Sequence, residues 1–135
     1  MRSGDSVEPT AKPLRVLVVE DNLGFGLSLG YMLEELGHQA RICESAEEAL
    51  VIAGHYAPHV AFLNIGLPGL DGFDLCDTLR AMPGLSTTQF VAFTGWTGDK
   101  FRHRAAAAGF HHYIVKPFTV EILVNVLRNL RGPDR

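Results

Sequence analysis

The stretch from His59 to Asp74, HVAFLNIGLPGLDGFD, constrains the fold more than any other. Its four consecutive apolar residues, Val60 to Leu63, are too few for an ordinary helix and are bounded by turn formers, so they read as a strand buried on both faces. Such a strand needs layers above and below it. It ends on Asn64, and a Gly/Pro loop, Gly66-Leu67-Pro68-Gly69, followed by Asp71 and Gly72, intervenes before a helical pattern begins. In open α/β sheets the carboxyl ends of the strands carry the chemistry, which makes the polar residue closing this strand a site candidate.

The flanking chain alternates strand and helix. Leu14 to Val19 is a near-continuous aliphatic run that stops at Glu20-Asp21-Asn22. Phe25, Leu29, Met32 and Leu36 then share one helical face, with Gly37 placed where a glycine ends a helix. Gln39 to Cys43 is short and partly polar, as an edge strand is. Ser45 and Glu48 form a capping box, and Ala46, Ala49, Leu50 and Ala53 give a small-residue helical face that Gly54 is expected to close. Phe73, Cys76 and Leu79 mark a helix that must stop before Pro83. Gln89 to Phe93 is a fourth strand ending in Thr94, and Phe101, Ala105 and Ala108 a fourth helix closed by Gly109. Tyr113 to Val115 is the fifth strand, ending in Lys116-Pro117, and Val120, Leu123, Val124, Leu127 and Leu130 give the clearest amphipathic helix.

A chain of 135 residues with 47% hydrophobic content suits one domain. We place it at 14–131, with 1–13 a polar disordered tail or linker and 132–135 a short tail. A net charge of −3 gives no global basic field, so direct nucleic-acid binding and anionic membranes are not expected partners. With no apolar run approaching the roughly 18 residues of a membrane span and no signal-peptide core, a cytoplasmic location is expected. Cys43 and Cys76 have no metal or redox spacing and read as small core residues. His103, His111 and His112 lack a metal-ligand pattern and read as structural or surface residues, and Lys100, Arg102, His103 and Arg104 as a solvated face. Trp96 is either a loop aromatic or part of a partner surface.

Five such units imply a flavodoxin-like (βα)5 doubly wound parallel sheet of order 2-1-3-4-5. That order brings Glu20, Asp21, Asn64, Thr94 and Lys116 to one rim. Adjacent carboxylates make a hard oxygen site suited to Mg²⁺, and a lysine with a hydroxyl opposite them can hold phosphoryl oxygens. Taken singly, the acids could merely begin a helix and the lysine be solvated. The rim resembles a cradle for a transferring phosphoryl group, but its central residue is an amide.

With these residues the chain resembles the receiver domain of two-component response regulators, the CheY-like family, from Leu14 to about Leu130. The matching pieces are VVEDN, NIGLPGLDG where the family has D-I-x-L-P-x-x-D-G, the Thr94 of AFTGW, and YIVKP. Asp21, Asn64, Thr94 and Lys116 follow one another at family-like separations of 43, 30 and 22 residues. The resemblance implies that Asn64 occupies the position of the aspartate phosphorylated from a histidine kinase or phosphotransfer protein. It implies further that Glu20, Asp21 and the carbonyl of Gly66 hold Mg²⁺, that Lys116 pairs with the acceptor, and that Thr94 and Tyr113 are the switch pair. A cis Lys116-Pro117 bond and an output or dimer face made by the fourth helix, fifth strand and fifth helix are implied as well. The wording of TGW and HHYIVKP is most similar to receivers attached to hybrid sensor kinases.

Asn64 decides how much of that activity carries over. A carboxylate attacks phosphorus as an anion, whereas an amide oxygen is neutral, so acyl-phosphate formation is not expected here, no enzymatic autophosphorylation is expected, and Mg²⁺ binding is expected to be weak or absent. Natural loss would make this a phosphorylation-independent pseudo-receiver, a protein-binding module; an engineered Asp-to-Asn change would make it a silenced ordinary receiver. The survival of Glu20, Asp21, Thr94, Lys116 and Tyr113 favours a recent or deliberate change. With no phosphoryl group to hold Thr94 inward, Tyr113 is expected to favour an outward rotamer. A flavin carrier of the same architecture is disfavoured, because acids stand where its phosphate loop would be.

Overall fold

The computed structural model describes residues 12–66, 71–95 and 98–131. Residues 1–11 of the tail expected at 1–13, the tail expected at 132–135, and Trp96 lie outside the described residues. Strands and helices alternate as β1 (Arg15–Val19), α1 (Leu23–Glu35), β2 (Gln39–Cys43), α2 (Ala46–Tyr56), β3 (Val60–Asn64), α3 (Gly72–Arg80), β4 (Gln89–Thr94), α4 (Asp99–Ala108), β5 (His112–Val115) and α5 (Val120–Arg131). All four strand pairings are parallel, in the order β2-β1-β3-β4-β5, so the expected doubly wound architecture is the observed one.

Period-two alternation divides the strands between two cores. Leu17, Val19, Ala61, Leu63, Phe90 and Ala92 face α2, α3 and α4, while Val16, Val18, Val60, Phe62, Val91 and Phe93 face α1 and α5. Central β3 is buried along its whole length, and edge strand β2 alternates exposed and covered positions. Among the described residues, no helix is long and apolar enough to cross a membrane.

Three local expectations need correction. Helix α2 runs past Gly54 to Tyr56, and the left-handed residue that ends it is Ala57, at φ 50°. Arg15 makes this stop possible, because its Nε and Nη2 donate to the carbonyls of Tyr56 and Ala57 at 2.9–3.1 Å. On α5 the buried face is Leu123, Val126, Leu127 and Leu130, whereas Val120, at the first position of the helix, is exposed. On α1 the fully buried leucines are Leu29 and Leu33, with Phe25, Met32 and Leu36 packed at the margin.

The amino edge of the sheet is finished by imidazoles. His38, His59 and His111 each directly precede a strand, and the Nδ1 of each accepts a neighbouring backbone N–H, from Leu14 (3.0 Å), Arg15 (2.8 Å) and Phe90 (3.0 Å) respectively. The backbone N–H groups of His59 and His111 donate back to the carbonyls of Arg15 and Phe90, so each imidazole extends a sheet ladder by one bond. His111 is thus structural, and His38 and His59 belong with it.

Both cysteines are fully buried, Cys43 under α2 and Cys76 within α3. Burial pushes the Cys43 thiol up to about 11 and the Cys76 thiol up to about 12. Because only the thiolate reacts, disulfide-exchange reagents at about pH 8 are expected to modify the folded chain about 100-fold more slowly than the urea-unfolded chain. Comparable rates in the two states would contradict the buried assignment.

Candidate functional site

Parallel strands of similar length end at one rim, and β1, β3, β4 and β5 deliver Glu20, Asn64, Thr94 and Lys116 to it. Glu20 is fully buried although charged, a costly placement unless every oxygen is satisfied. Its Oε1 accepts from Lys116 Nζ at 2.7 Å, and its Oε2 accepts from the backbone N–H of Asn22 at 3.0 Å and from Asn64 Nδ2 at 2.9 Å. The Asn64 Nδ2 also lies 3.5 Å from Asp21 Oδ1, and the Asn64 Oδ1 accepts the Gly66 N–H at 2.9 Å. The amide can face only this way, since turning it over would set its oxygen against two carboxylates and its NH₂ against an N–H.

The ammonium of Lys116, which the resemblance pairs with the acceptor, donates instead to Glu20, an anion, whereas Asn64 is neutral. It sits 4.7 Å from the Phe25 ring centroid and 5.3 Å from that of Phe93, and these two rings stack at 5.6 Å. Phe25 and Phe93 read from sequence only as core residues; their role as an aromatic platform under the Lys116 cation has no linear signal. Asn22 caps α1 through its side-chain oxygen on the Phe25 N–H, which fixes that platform beside the acids.

Electrostatics separates the two acids. Burial raises the Glu20 carboxyl, but hydrogen bonds from Lys116, the Asn22 N–H and Asn64 outweigh it and leave the group below its ordinary range. The Asp21 carboxyl is raised, first by the Glu20 carboxylate beside it and then by burial. Asp21 is exposed and Gly66 lies at the open edge of the site. Among the described residues, no group of three His, Cys, Asp or Glu side chains is placed to hold a metal ion.

Thr94 is buried at the end of β4, where its carbonyl accepts the Lys116 N–H at 2.7 Å. Tyr113, on β5, is half-buried, with the Arg102 guanidinium 4.9 Å above its ring. The Lys116-Pro117 bond is cis. Asp71 caps α3 through the Asp74 N–H at 2.9 Å, and Gly72 admits no side chain: a β-carbon there would lie 2.5 Å from Ile65 Cα and 2.6 Å from the Asn64 carbonyl oxygen. A cavity of about 740 Å³ lies at the opposite end of the sheet, lined in part by His59, Thr88, Gln89 and His111, and shares no residue with the rim.

The sequence profile of the response regulator receiver domain matches residues 16–128. The chain belongs to that family. The receiver is 35% identical over 109 residues to the virulence transcriptional regulatory protein PhoP of Salmonella typhimurium, covering 80% of this chain and 47% of PhoP, so it spans about half the length of that relative. A putative response regulator from Chloroflexus aurantiacus superposes with a TM-score of 0.83 at 29% identity, over 90% of this chain and 100% of that one. The chemotaxis protein CheY4 of Vibrio cholerae superposes with a TM-score of 0.83 at 23% identity, over 88% and 99% of the two chains, a likeness of fold. Receiver domains of two-component systems interact with histidine kinases or phosphotransfer proteins, and they generally bind Mg²⁺. Membership in this family sets the flavin-carrier reading aside.

Proposed function

We propose that this receiver engages a histidine kinase or phosphotransfer partner but is not phosphorylated at Asn64, because an amide fills the acceptor position. The observation that carries this reading is the hydrogen bond from Asn64 Nδ2 to Glu20 Oε2 at 2.9 Å. A receiver's acceptor attacks phosphorus through a carboxylate lone pair, and an amide oxygen is a far poorer nucleophile. Asn64 presents an N–H towards the acids, and its neutral oxygen is engaged by Gly66. No enzymatic or self-phosphorylating chemistry is assigned to the chain.

The oxygen set of Glu20, Asp21 and the Gly66 carbonyl fits Mg²⁺ in kind, being hard and anionic. It has one carboxylate fewer than a receiver with an aspartate acceptor, and the Asn64 amide is already hydrogen-bonded to the same acids. Bound Mg²⁺ would neutralise phosphoryl oxygens. Thr94 and Lys116 are the residues that would hold the remaining phosphoryl oxygens, Tyr113 the residue that would follow Thr94, and the face of α4, β5 and α5 the surface that would report the change. No direct nucleic-acid or membrane contact is assigned, and we keep a cytoplasmic location as part of the proposal.

Two measurements test this. In calorimetric titrations Mg²⁺ is expected to bind this chain more weakly than its Asn64→Asp variant; equal or tighter binding to the parent would sink the charge argument. Intact mass after incubation with acetyl phosphate and Mg²⁺ is expected to be unchanged, and an adduct mapping to Asn64 would refute the proposal. One feature favours the pseudo-receiver reading: both Glu20 oxygens are satisfied by protein donors, so this buried acid needs no cation to compensate its burial.

A further inference from the structure

Helix α4 is weakly seated. Ala105 is its only buried residue, and its amino end begins at Gly98, φ 115°, with no side-chain cap. Two arginine–aromatic contacts supply what the core does not. Arg104 lies 4.1 Å over the Phe73 ring of α3, with Asp71 at 3.9 Å, and Arg102 lies 4.9 Å over the Tyr113 ring of β5. The basic stretch is therefore more than a solvated face, because two of its cations rest on the aromatic surface of neighbouring elements.

We propose that Arg102 is a positioning residue that holds Tyr113 in its half-buried resting rotamer and so ties any rotation of Tyr113 to the seating of α4. The inference rests on the reading of Thr94 and Tyr113 as a switch pair. Its physical content is simple: a guanidinium over a phenol ring is attracted to the ring face, and the ring cannot turn inward without leaving it. Arg104 anchors the same helix to α3, so the release of Arg102 frees the β5 side of α4 while the α3 side stays attached.

The test uses the full chain labelled with 3-fluorotyrosine, whose three tyrosines give three fluorine resonances. Arg102→Gln is expected to shift or broaden the Tyr113 resonance, and Arg102→Lys, which keeps the cation, to stay close to the parent. Tyr31 and Tyr56 are the fold control and are expected not to move. An unchanged Tyr113 resonance in Arg102→Gln would overturn the proposal. In the Asn64→Asp background with Mg²⁺, Arg102→Gln is expected to lower the half-saturating beryllofluoride concentration about two- to five-fold, the scale of an exposed cation–π contact. Unchanged or weakened beryllofluoride binding would overturn it as well. If the Asn64→Asp parent ignores beryllofluoride altogether, the switch reading fails, and the fluorine comparison still decides whether Arg102 positions the ring.

Discussion

Asn64→Asp is expected to convert a chain that stays unmodified in acetyl phosphate and Mg²⁺ into one that gains a base-labile phosphoryl adduct. The surroundings of a nucleophile are already in place: Lys116 2.7 Å from Glu20, Asp21 beside it, and Thr94 on the adjoining strand. The aspartate oxygen would form the bond to phosphorus, and acetate would leave with the electron pair of the broken bond. Positioning of this kind is the larger part of phosphoryl-transfer catalysis, so restoring one anion in an intact cradle produces an effect from nothing detectable to a major fraction of the chain. Intact mass spectrometry reads the result, and the adduct is expected to disappear when Asp21→Asn or Lys116→Met is added. The same variant sets a carboxylate oxygen against Glu20 where an N–H now donates, so its thermal midpoint is expected to rise with Mg²⁺ more than that of the parent. A folded Asp variant with neither adduct nor Mg²⁺ response would leave the pseudo-receiver reading in possession of the site.

Lys116→Met is expected to destabilise the fold strongly. Glu20 is fully buried, and among the described residues the ammonium is the only full positive charge hydrogen-bonded to it. Removing one partner of a buried pair leaves an uncompensated charge, at a cost of about 3 kcal/mol or more. Loss of the contact with Phe25 and Phe93 adds to this. Pairing the change with Glu20→Gln removes the orphaned charge, so the double variant is expected to recover most of the lost stability. Urea unfolding of the four chains in the cycle gives the coupling directly. Equal losses in the single and double variants would mean that the pair contributes nothing as a pair.

The architecture was legible because each strand–helix unit carries its own punctuation: the apolar run Val60–Leu63 for the centre, Ser45 and Glu48 for one cap, Gly109 for one stop. Where the reading slipped, a distant residue had intervened. Gly54 was the plausible end of α2, yet Arg15, some forty positions away, carries the cap that lets Ala57 end it. At the rim, sequence spacing brings Glu20, Asp21, Asn64, Thr94 and Lys116 to one place but cannot specify their hydrogen bonds. That Lys116 turns to Glu20, and that the Asn64 amide bridges towards the acids, follows from charge balance in three dimensions. Nor could period or motif single out the imidazoles of His38 and His59, whose task is set by the strand alongside.

Gly72 has a further consequence. Because it lacks a β-carbon, the first turn of α3 rests directly on the backbone of Asn64 and Ile65. Two stretches that differ in secondary structure are thereby made one cooperative opening unit: the end of β3 cannot lift away without dismantling the start of α3. In hydrogen exchange the amides of Leu75 and Cys76 are then expected to share the opening free energy of Leu63 and Asn64, so that slow exchange in a helix reports the integrity of the strand beneath it.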